Sequence, residues 1–349
     1  MKKDKAKSGT DDFKKLKTDI AKGSLERCYV FYGEETYLRD YCLHSELKKA
    51  VLNNGMEDFN LIVIEGKSLT IQALSDAIES YPVMADKKMI IVRDFDILKP
   101  PADMRDELCD ILSDLPEYVC MVFVYDTLDF EPDKRLKIYT ILTENAAIVH
   151  FAPASHEELI PWIKKRFAFL KKEIDASECE YLIFYCGALM SELALEIEKI
   201  AAYAKGEKIK KSDIEEVAIK VLDAAIYNLT DAIAADNAQR AMHMLDELIQ
   251  MGTDSTVLLA AINRQVLRLY AAKAALMSGK REEYIMKMLG MRSRYPAEKL
   301  ISAANKMDIA QLEKAVKLCG EADMEFKRMA TDKVRTVQLL LVQILSKKV

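Results

Sequence analysis

The hydrophobic positions of this chain change regime near residue 151. Before it, five short apolar, β-branched runs stand out: CYVFY (28–32), NLIVI (60–64), KMIIV (88–92), YVCMVFVY (118–125) and AAIVHF (146–151). Nearly continuous apolar runs predict strands covered on both faces, and the amphipathic segments at 34–52, 69–80, 102–114 and 133–144 are long enough for crossover helices. The pattern predicts an α/β domain with a doubly wound, parallel, five-stranded sheet. Ligands of such a sheet are expected outside the carboxyl ends of the strands.

After Phe151 the period becomes helical to the end. Pro153 and Pro161 punctuate the change, and Ser155-x-x-Glu158 reads as a capping box opening the helix that carries Trp162. Residues 155–222 give helical patterns split by loops around Lys172–Asp175 and Gly206–Ser212, enough for a small helical domain. Farther on, Ala234, Ala238, Met242, Leu245 and Ile249 keep one helical period up to Gly252, and Asp254-Ser255 can cap the next helix. Segments near 255–278, 281–289, 296–305, 308–328 and 331–346 complete an all-α bundle. At 349 residues the chain is expected to form two or three domains.

Composition narrows the function. With 51 Lys and Arg against 56 Asp and Glu, the net charge of -5 supplies no general field for nucleic acid, so contact with DNA would need local clusters. The seven cysteines are scattered without a CxxC pair or a histidine at metal-ligand spacing, which predicts neither a zinc site nor a disulfide framework. The opening MKKDKAKSGT is basic but is followed by Phe13, Leu16 and Ile20 at helical spacing, not by a secretory apolar core. No run approaches the roughly 20 apolar residues that cross a bilayer. A cytoplasmic protein is expected.

Chemistry is conspicuous by its gaps. YVFYGEETYLRD (29–40) has the strand, glycine and helix start of a phosphate-binding loop. The positions five, six and seven residues after Gly33 hold Leu38, Arg39 and Asp40, where such a loop needs a second glycine, a lysine and a hydroxyl. KKMIIVRDFDIL (87–98) resembles the strand that ends in a magnesium-binding Asp-Glu pair, but Arg93 stands at the aspartate position and Asp94 at the glutamate position. A solvated strand end would read the same way. The loop Ser80-Tyr-Pro-Val-Met-Ala-Asp-Lys-Lys88 is unusual in the opposite sense, because Tyr81, Pro82, Val83 and Met84 make an apolar tip where polar residues are normal. Either Val83 and Met84 fold back onto the core, or the tip is an exposed anchor for a partner's pocket. The four histidines lie apart, with His150 expected in the core and none in a serine or cysteine arrangement that suggests nucleophilic catalysis. Basic clusters at Lys164-Lys165-Arg166, Lys171-Lys172 and Lys208-Lys210-Lys211, and the pair Arg264 and Arg268 on one helix face, read first as solvated faces.

The order of these pieces resembles a known family. YVFYGEETYLRD and PVMADKKMIIVRDFD are followed by CGALMSELALEIEKIAAYAKG, KIKKSDIEEV and AIYNLTDAI, then by INRQVLRLYAAKAALMSG, LGMRSRYPAEKLISAANKM and EADMEFKRM. The chain, from about residue 14 to 346, closely resembles the delta subunit of bacterial DNA polymerase III, the clamp-opening member of the clamp loader. The resemblance implies an AAA+-like sheet domain with a degenerate phosphate loop (1–152), a three-helix lid (153–222) and a helical collar that joins a five-subunit ring (223–349). It implies no cofactor, no catalytic residue and no catalysis of its own, any nucleotidyltransferase activity belonging to the polymerase assembly. Its implied partners are the sliding clamp (beta subunit), the delta prime and tau/gamma subunits and, through the assembled loader, primer-template DNA. The clamp-binding tip maps on Pro82, Val83 and Met84, where the family often has Leu and Phe at the last two places. Gly33, Leu38, Arg39, Asp40, Arg93 and Asp94 become an inactive remnant, and Arg264 and Arg268 candidates to face DNA. The alternatives are an active phosphate-loop enzyme with a divergent loop, which lacks a lysine and a magnesium carboxylate here, and a helical scaffold. Another loader subunit is a closer alternative, but the Ser-Arg-Cys tripeptide of the delta prime and motor subunits is absent.

Overall fold

A computed structural model describes residues 11–53, 56–291, 293–328 and 332–346. The basic opening decapeptide and Met329 to Thr331 lie outside the described residues. Two compact units are distinguished: one runs to Leu159 and adds Leu189–Ser191, and the other holds Ile160–Ala188 and the chain from Glu192.

The first unit opens with helix α1 (Asp11–Ala21), which buries the Leu16 and Ile20 of the predicted period. Strands β1 (Cys28–Tyr32), β2 (Leu61–Glu65), β3 (Lys88–Arg93), β4 (Val119–Val124) and β5 (Ala147–His150) form one parallel sheet in the order β2-β3-β4-β1-β5. Each lies within a residue or two of the apolar run that predicts it. The crossovers carry α2 (Thr36–Tyr41), running through a π-helical turn at Cys42–Leu47 into α3 (Lys48–Val51), then the short α4 (Glu57–Asn60), α5 (Ile71–Glu79), α6 (Arg105–Ser113) and α7 (Lys137–Asn145). Side chains alternate across a strand, so the apolar runs must be covered twice. Val30, Ile90, Val92, Met121 and Phe123 pack with Leu74, Leu108, Leu112 and Leu142 in one cluster. Their neighbours Tyr29, Phe31, Met89, Ile91, Cys120 and Val122, of opposite parity, are also buried. His150, expected in the core, is instead exposed at the end of the edge strand β5, where its ring stacks on Tyr32 at 4.7 Å. An edge strand has one flank open, and a strand-end histidine follows it to solvent.

The second unit is helical. Between residues 153 and 222 the structure has four helices where three are expected: α8 (His156–Phe169), α9 (Ala176–Cys186), α10 (Met190–Tyr203) and α11 (Lys211–Val217). The extra break is at Gly187, whose φ of 90° no continuing helix tolerates. The Ser155 amide and hydroxyl both donate to Glu158 at 3.0 Å, the expected start of α8. The bundle that follows contains α12 (Leu222–Ala234), α13 (Ala238–Gln250), α14 (Ser255–Met277), α15 (Glu282–Met288), α16 (Arg294–Lys306), α17 (Ile309–Phe326) and α18 (Lys333–Leu345). The predicted continuous period from Ala234 to Ile249 is cut after Ala234, because Asp236 turns left-handed (φ 58°) and Asn237 caps the Arg240 amide. Asp254 caps α14 as expected, accepting from the Thr256 and Val257 amides.

The turn after β1 depends on a glycine. Gly33 leaves β1 at φ 124°, and a Cβ placed there would lie 2.3 Å from the Phe151 carbonyl oxygen. Gly33→Ala should therefore destabilise the sheet unit by at least about 2 kcal/mol. Differential scanning calorimetry checks this, and an unchanged melting profile would contradict it.

Candidate functional site

Where a parallel sheet is covered on both faces, its central strands are open to ligands or partners at their two ends. The carboxyl end holds the residues of the suspected phosphate loop, and they are bonded to each other. The Glu35 amide, a donor that could face phosphate, donates to the Phe151 carbonyl at 2.9 Å. The Glu35 side chain is buried and accepts the Met190 amide at 3.2 Å; burial raises its pKa against the pull of that bond.

Arg39 is buried beside this turn, in α2 next to Leu38. Its guanidinium donates to the Tyr125 carbonyl at 2.6 Å, to Asp126 at 2.5 Å and to Asp40 at 3.1 Å. Arg93, the last residue of β3, donates to the other Asp126 oxygen at 2.6 Å. Asp126 thus stands between two guanidinium groups. A buried guanidinium with its donors satisfied is stable where a lone one is not, and breaking such a pair costs more than the pair contributes. Asp94, at φ 50°, accepts the Asp126 and Thr127 amides at 2.8 Å, the Leu128 amide at 3.2 Å and the Thr127 hydroxyl at 2.9 Å. Burial pushes its pKa up, but the bonds from Thr127, Leu128 and Asp126 outweigh that and hold it below the usual carboxylate range. The carboxylate at the glutamate position of the motif is therefore a structural cap for the turn after β4. Sequence reading had no means of finding Asp126, since the ion pair joins residues 87 apart.

The amino end of the sheet differs. The segment between α5 and β3 carries Tyr81, Val83 and Met84 at 79%, 46% and 82% exposure, with Pro82 half-buried. The tip points outward, so the reading in which Val83 and Met84 fold back onto the core is excluded. Two residues brace it. Lys88, read from sequence as part of a charged loop end, is 2% exposed, and its ammonium donates to the carbonyls of Ala77, Ile78 and Ser80 at the end of α5. It occupies the place where a helix leaves its last carbonyls unbonded and negative. Burial lowers its pKa. Asn60, at the end of α4, is 1% exposed and bonds both backbone groups of Val83: Oδ1 accepts the amide at 2.7 Å, and Nδ2 donates to the carbonyl at 2.9 Å. The Tyr81 ring packs against Tyr118 at 5.2 Å. Lys88 and Asn60 were legible as the first residues of predicted strands, but the bonds they make were not, Asn60's partner being 23 residues away.

In the helical unit, Arg264 and Arg268 lie on α14 along an open groove of about 890 Å³ that Leu267, Tyr270, Phe326 and Lys333 also line. Arg264 is tied to Asp223 at 2.5 Å. The other basic clusters are partly neutralised within the unit, Arg166 by Glu198, Lys208 by Asp175 and Lys172 by the Ala204 and Gly206 carbonyls. Among the described residues no group of three or more His, Cys, Asp or Glu side chains could hold a metal ion, and no helix is long and apolar enough to cross a membrane.

A family model described as DNA polymerase III, delta subunit, matches residues 29–152, and one described as the C-terminal domain of that subunit matches residues 223–344. The chain is 22% identical over 335 residues to DNA polymerase III subunit delta of Bacillus subtilis, covering 94% of this chain and 95% of that protein. It is 24% identical over 320 residues to the probable DNA polymerase III subunit delta of Aquifex aeolicus, covering 87% of each. The solved structure of the Bacillus subtilis DNA clamp loader delta protein superposes with a TM-score of 0.50 at 20% identity, covering 96% of this chain and 99% of that one, and shares the fold.

The role of Asp94 gives a pH prediction. Because its folded pKa is depressed, its stabilisation is complete above the ordinary aspartate range and is lost as pH falls through the folded value. Asp94→Ala should cost about 1 to 2 kcal/mol near neutrality. The gap to wild type should close on acidification in parallel thermal melts, and a gap constant across the titration would contradict a charged cap.

Proposed function

Since the chain belongs to the DNA polymerase III delta subunit family, we propose that it is the clamp-opening subunit of a clamp loader, binding the ring-shaped sliding clamp through Pro82, Val83 and Met84 and hydrolysing no ATP itself. The observation that carries the reading is the exposed and braced apolar tip at the amino end of the sheet. Val83 and Met84 offer adaptable apolar volume, and Pro82 limits the conformations lost on binding. A tip can favour an open ring only by binding it more tightly than the closed one, so the clamp pocket must lie where binding strains a ring interface. The energy that exposes or withdraws the tip comes from ATP on other subunits, the tau/gamma motors, with delta prime completing the ring.

The carboxyl end of the sheet supports the second half of the proposal. A magnesium nucleotide requires free loop amides, a lysine and a metal-binding carboxylate. Here the Glu35 amide is committed to Phe151, Arg39 and Arg93 share Asp126, and Asp94 caps a turn. In this reading residues 1–152 are the sheet domain that meets the clamp, 153–222 the lid and 223–349 the collar that joins neighbouring subunits. Primer-template DNA is met through the assembled loader, with Arg264 and Arg268 as candidate contacts, and the protein works in the cytoplasm.

Two measurements test the proposal. Val83→Asp with Met84→Asp should abolish capture of purified sliding clamp while leaving the circular dichroism spectrum and melting temperature unchanged; undiminished capture would sink the tip reading. Calorimetric titration of the isolated chain with Mg-ATP should show no binding and a coupled phosphate assay no hydrolysis. Stoichiometric micromolar binding would overturn the inactive-site reading.

A further inference from the structure

The two hydrogen bonds between Asn60 and Val83 have a specific chemical form. One side-chain amide accepts the N–H and donates to the C=O of the same residue, as a neighbouring strand would. The second proton of Nδ2 goes to the Met56 carbonyl at 3.0 Å, which fixes the direction in which the amide points. Both N–H donors and one lone pair of the carbonyl oxygen are therefore used, two of these three bonds falling on the tip. One residue on, Met84 adopts φ 49°, a left-handed conformation that side chains other than glycine, asparagine and aspartate enter at a cost. Such a conformation persists where surrounding bonds over-determine it. Here the Val83 backbone is held from one side by Asn60, and the base of the loop is held by the Lys88 ammonium on the Ser80 carbonyl and hydroxyl.

We propose that Asn60 is a positioning residue for clamp capture: its buried amide holds the Val83 backbone so that the Val83 and Met84 side chains are presented in their binding conformation before the clamp arrives. The inference rests on the tip reading given above. A free eight-residue loop from Ser80 to Lys87 would have to be ordered at the moment of binding, and that ordering cost is subtracted from affinity. A tip already pinned by Asn60 avoids it. The choice of residue follows from the geometry, since a one-methylene amide supplies donor and acceptor side by side. Alanine supplies neither, and an ionised aspartate supplies two acceptors, one of which would face the Val83 carbonyl oxygen. A protonated aspartate restores the donor.

The test uses the full chain and purified sliding clamp. Asn60→Ala should bind the clamp about tenfold more weakly, corresponding to about 1.4 kcal/mol, and should exchange the Val83 amide proton faster while the β3 and β4 amides keep their protection. Asn60→Asp should be comparably weak near neutrality and should recover relative to wild type as acidification protonates the new carboxyl; this titration within one folded variant decides the matter if the alanine variant is poorly folded. Wild-type affinity in Asn60→Ala, or weakened binding with unchanged Val83 exchange, would overturn the positioning role. If the Val83→Asp, Met84→Asp chain loses the clamp and Asn60→Ala keeps it, the tip reading stands and this inference alone falls. If the tip variant still binds, both fall.

Discussion

The constraint that organises the sheet unit is that a parallel sheet built from nearly continuous apolar strands must be covered on both faces. With Val30, Ile90, Met121 and Phe123 buried on one side and Tyr29, Phe31, Ile91 and Val122 on the other, the central strands reach solvent at their ends. The two ends are used in opposite ways. At the carboxyl end the charged groups satisfy one another, and Asp126 draws Arg39 and Arg93 together across the ends of the strands. At the amino end the polar groups turn inward to hold a loop, and the apolar groups turn outward. Under the reading proposed above, this inverts the arrangement in which a sheet of this kind binds ligands at its carboxyl end.

How much of this could be read from sequence depended on the range of the interaction. Strands were legible because four to eight consecutive apolar residues carry the signal, and each run lies within a residue or two of a strand. Helix existence was also legible, as were the breaks near 172–175, 206–212 and Gly252, but two breaks were not: Gly187 and Asp236 interrupt predicted helices through single positive-φ residues that leave the hydrophobic period intact. The anomalies at Arg39, Arg93 and Asp94 were visible as departures from a motif. What replaced the motif was not visible, because Asp126 is 33 residues from Arg93 and 87 from Arg39. Lys88 misled for a physical reason: charge usually means exposure, and here the end of α5 supplies three carbonyls to a buried ammonium. His150 misled in the converse way, because an apolar run does not reveal which strand lies at the edge.

The bracing of the tip joins the fold to the proposed mechanism. A subunit that opens a ring by differential binding has little to gain from a floppy contact, since energy used to order the loop cannot strain the ring. Asn60 and Lys88 carry the restraint from α4 and from α5 into an exposed segment with no regular structure. The Val83 and Met84 side chains lie at the surface while the backbone of Val83 is fixed from below.

The closure at Gly33 also bears on history. The Phe151 carbonyl lies where a Cβ would stand and already takes the Glu35 amide, so the path of the chain after β5 fills the turn. Under the reading proposed above, regaining nucleotide binding would require rerouting that segment while also replacing Arg39, Arg93 and the role of Asp126. Each single step would leave an unpaired charge or a blocked turn and so lose stability before any new activity appeared. Under that reading the sealed end works as a ratchet: refining how the chain grips its partner stays open to single substitutions, while regaining nucleotide binding does not.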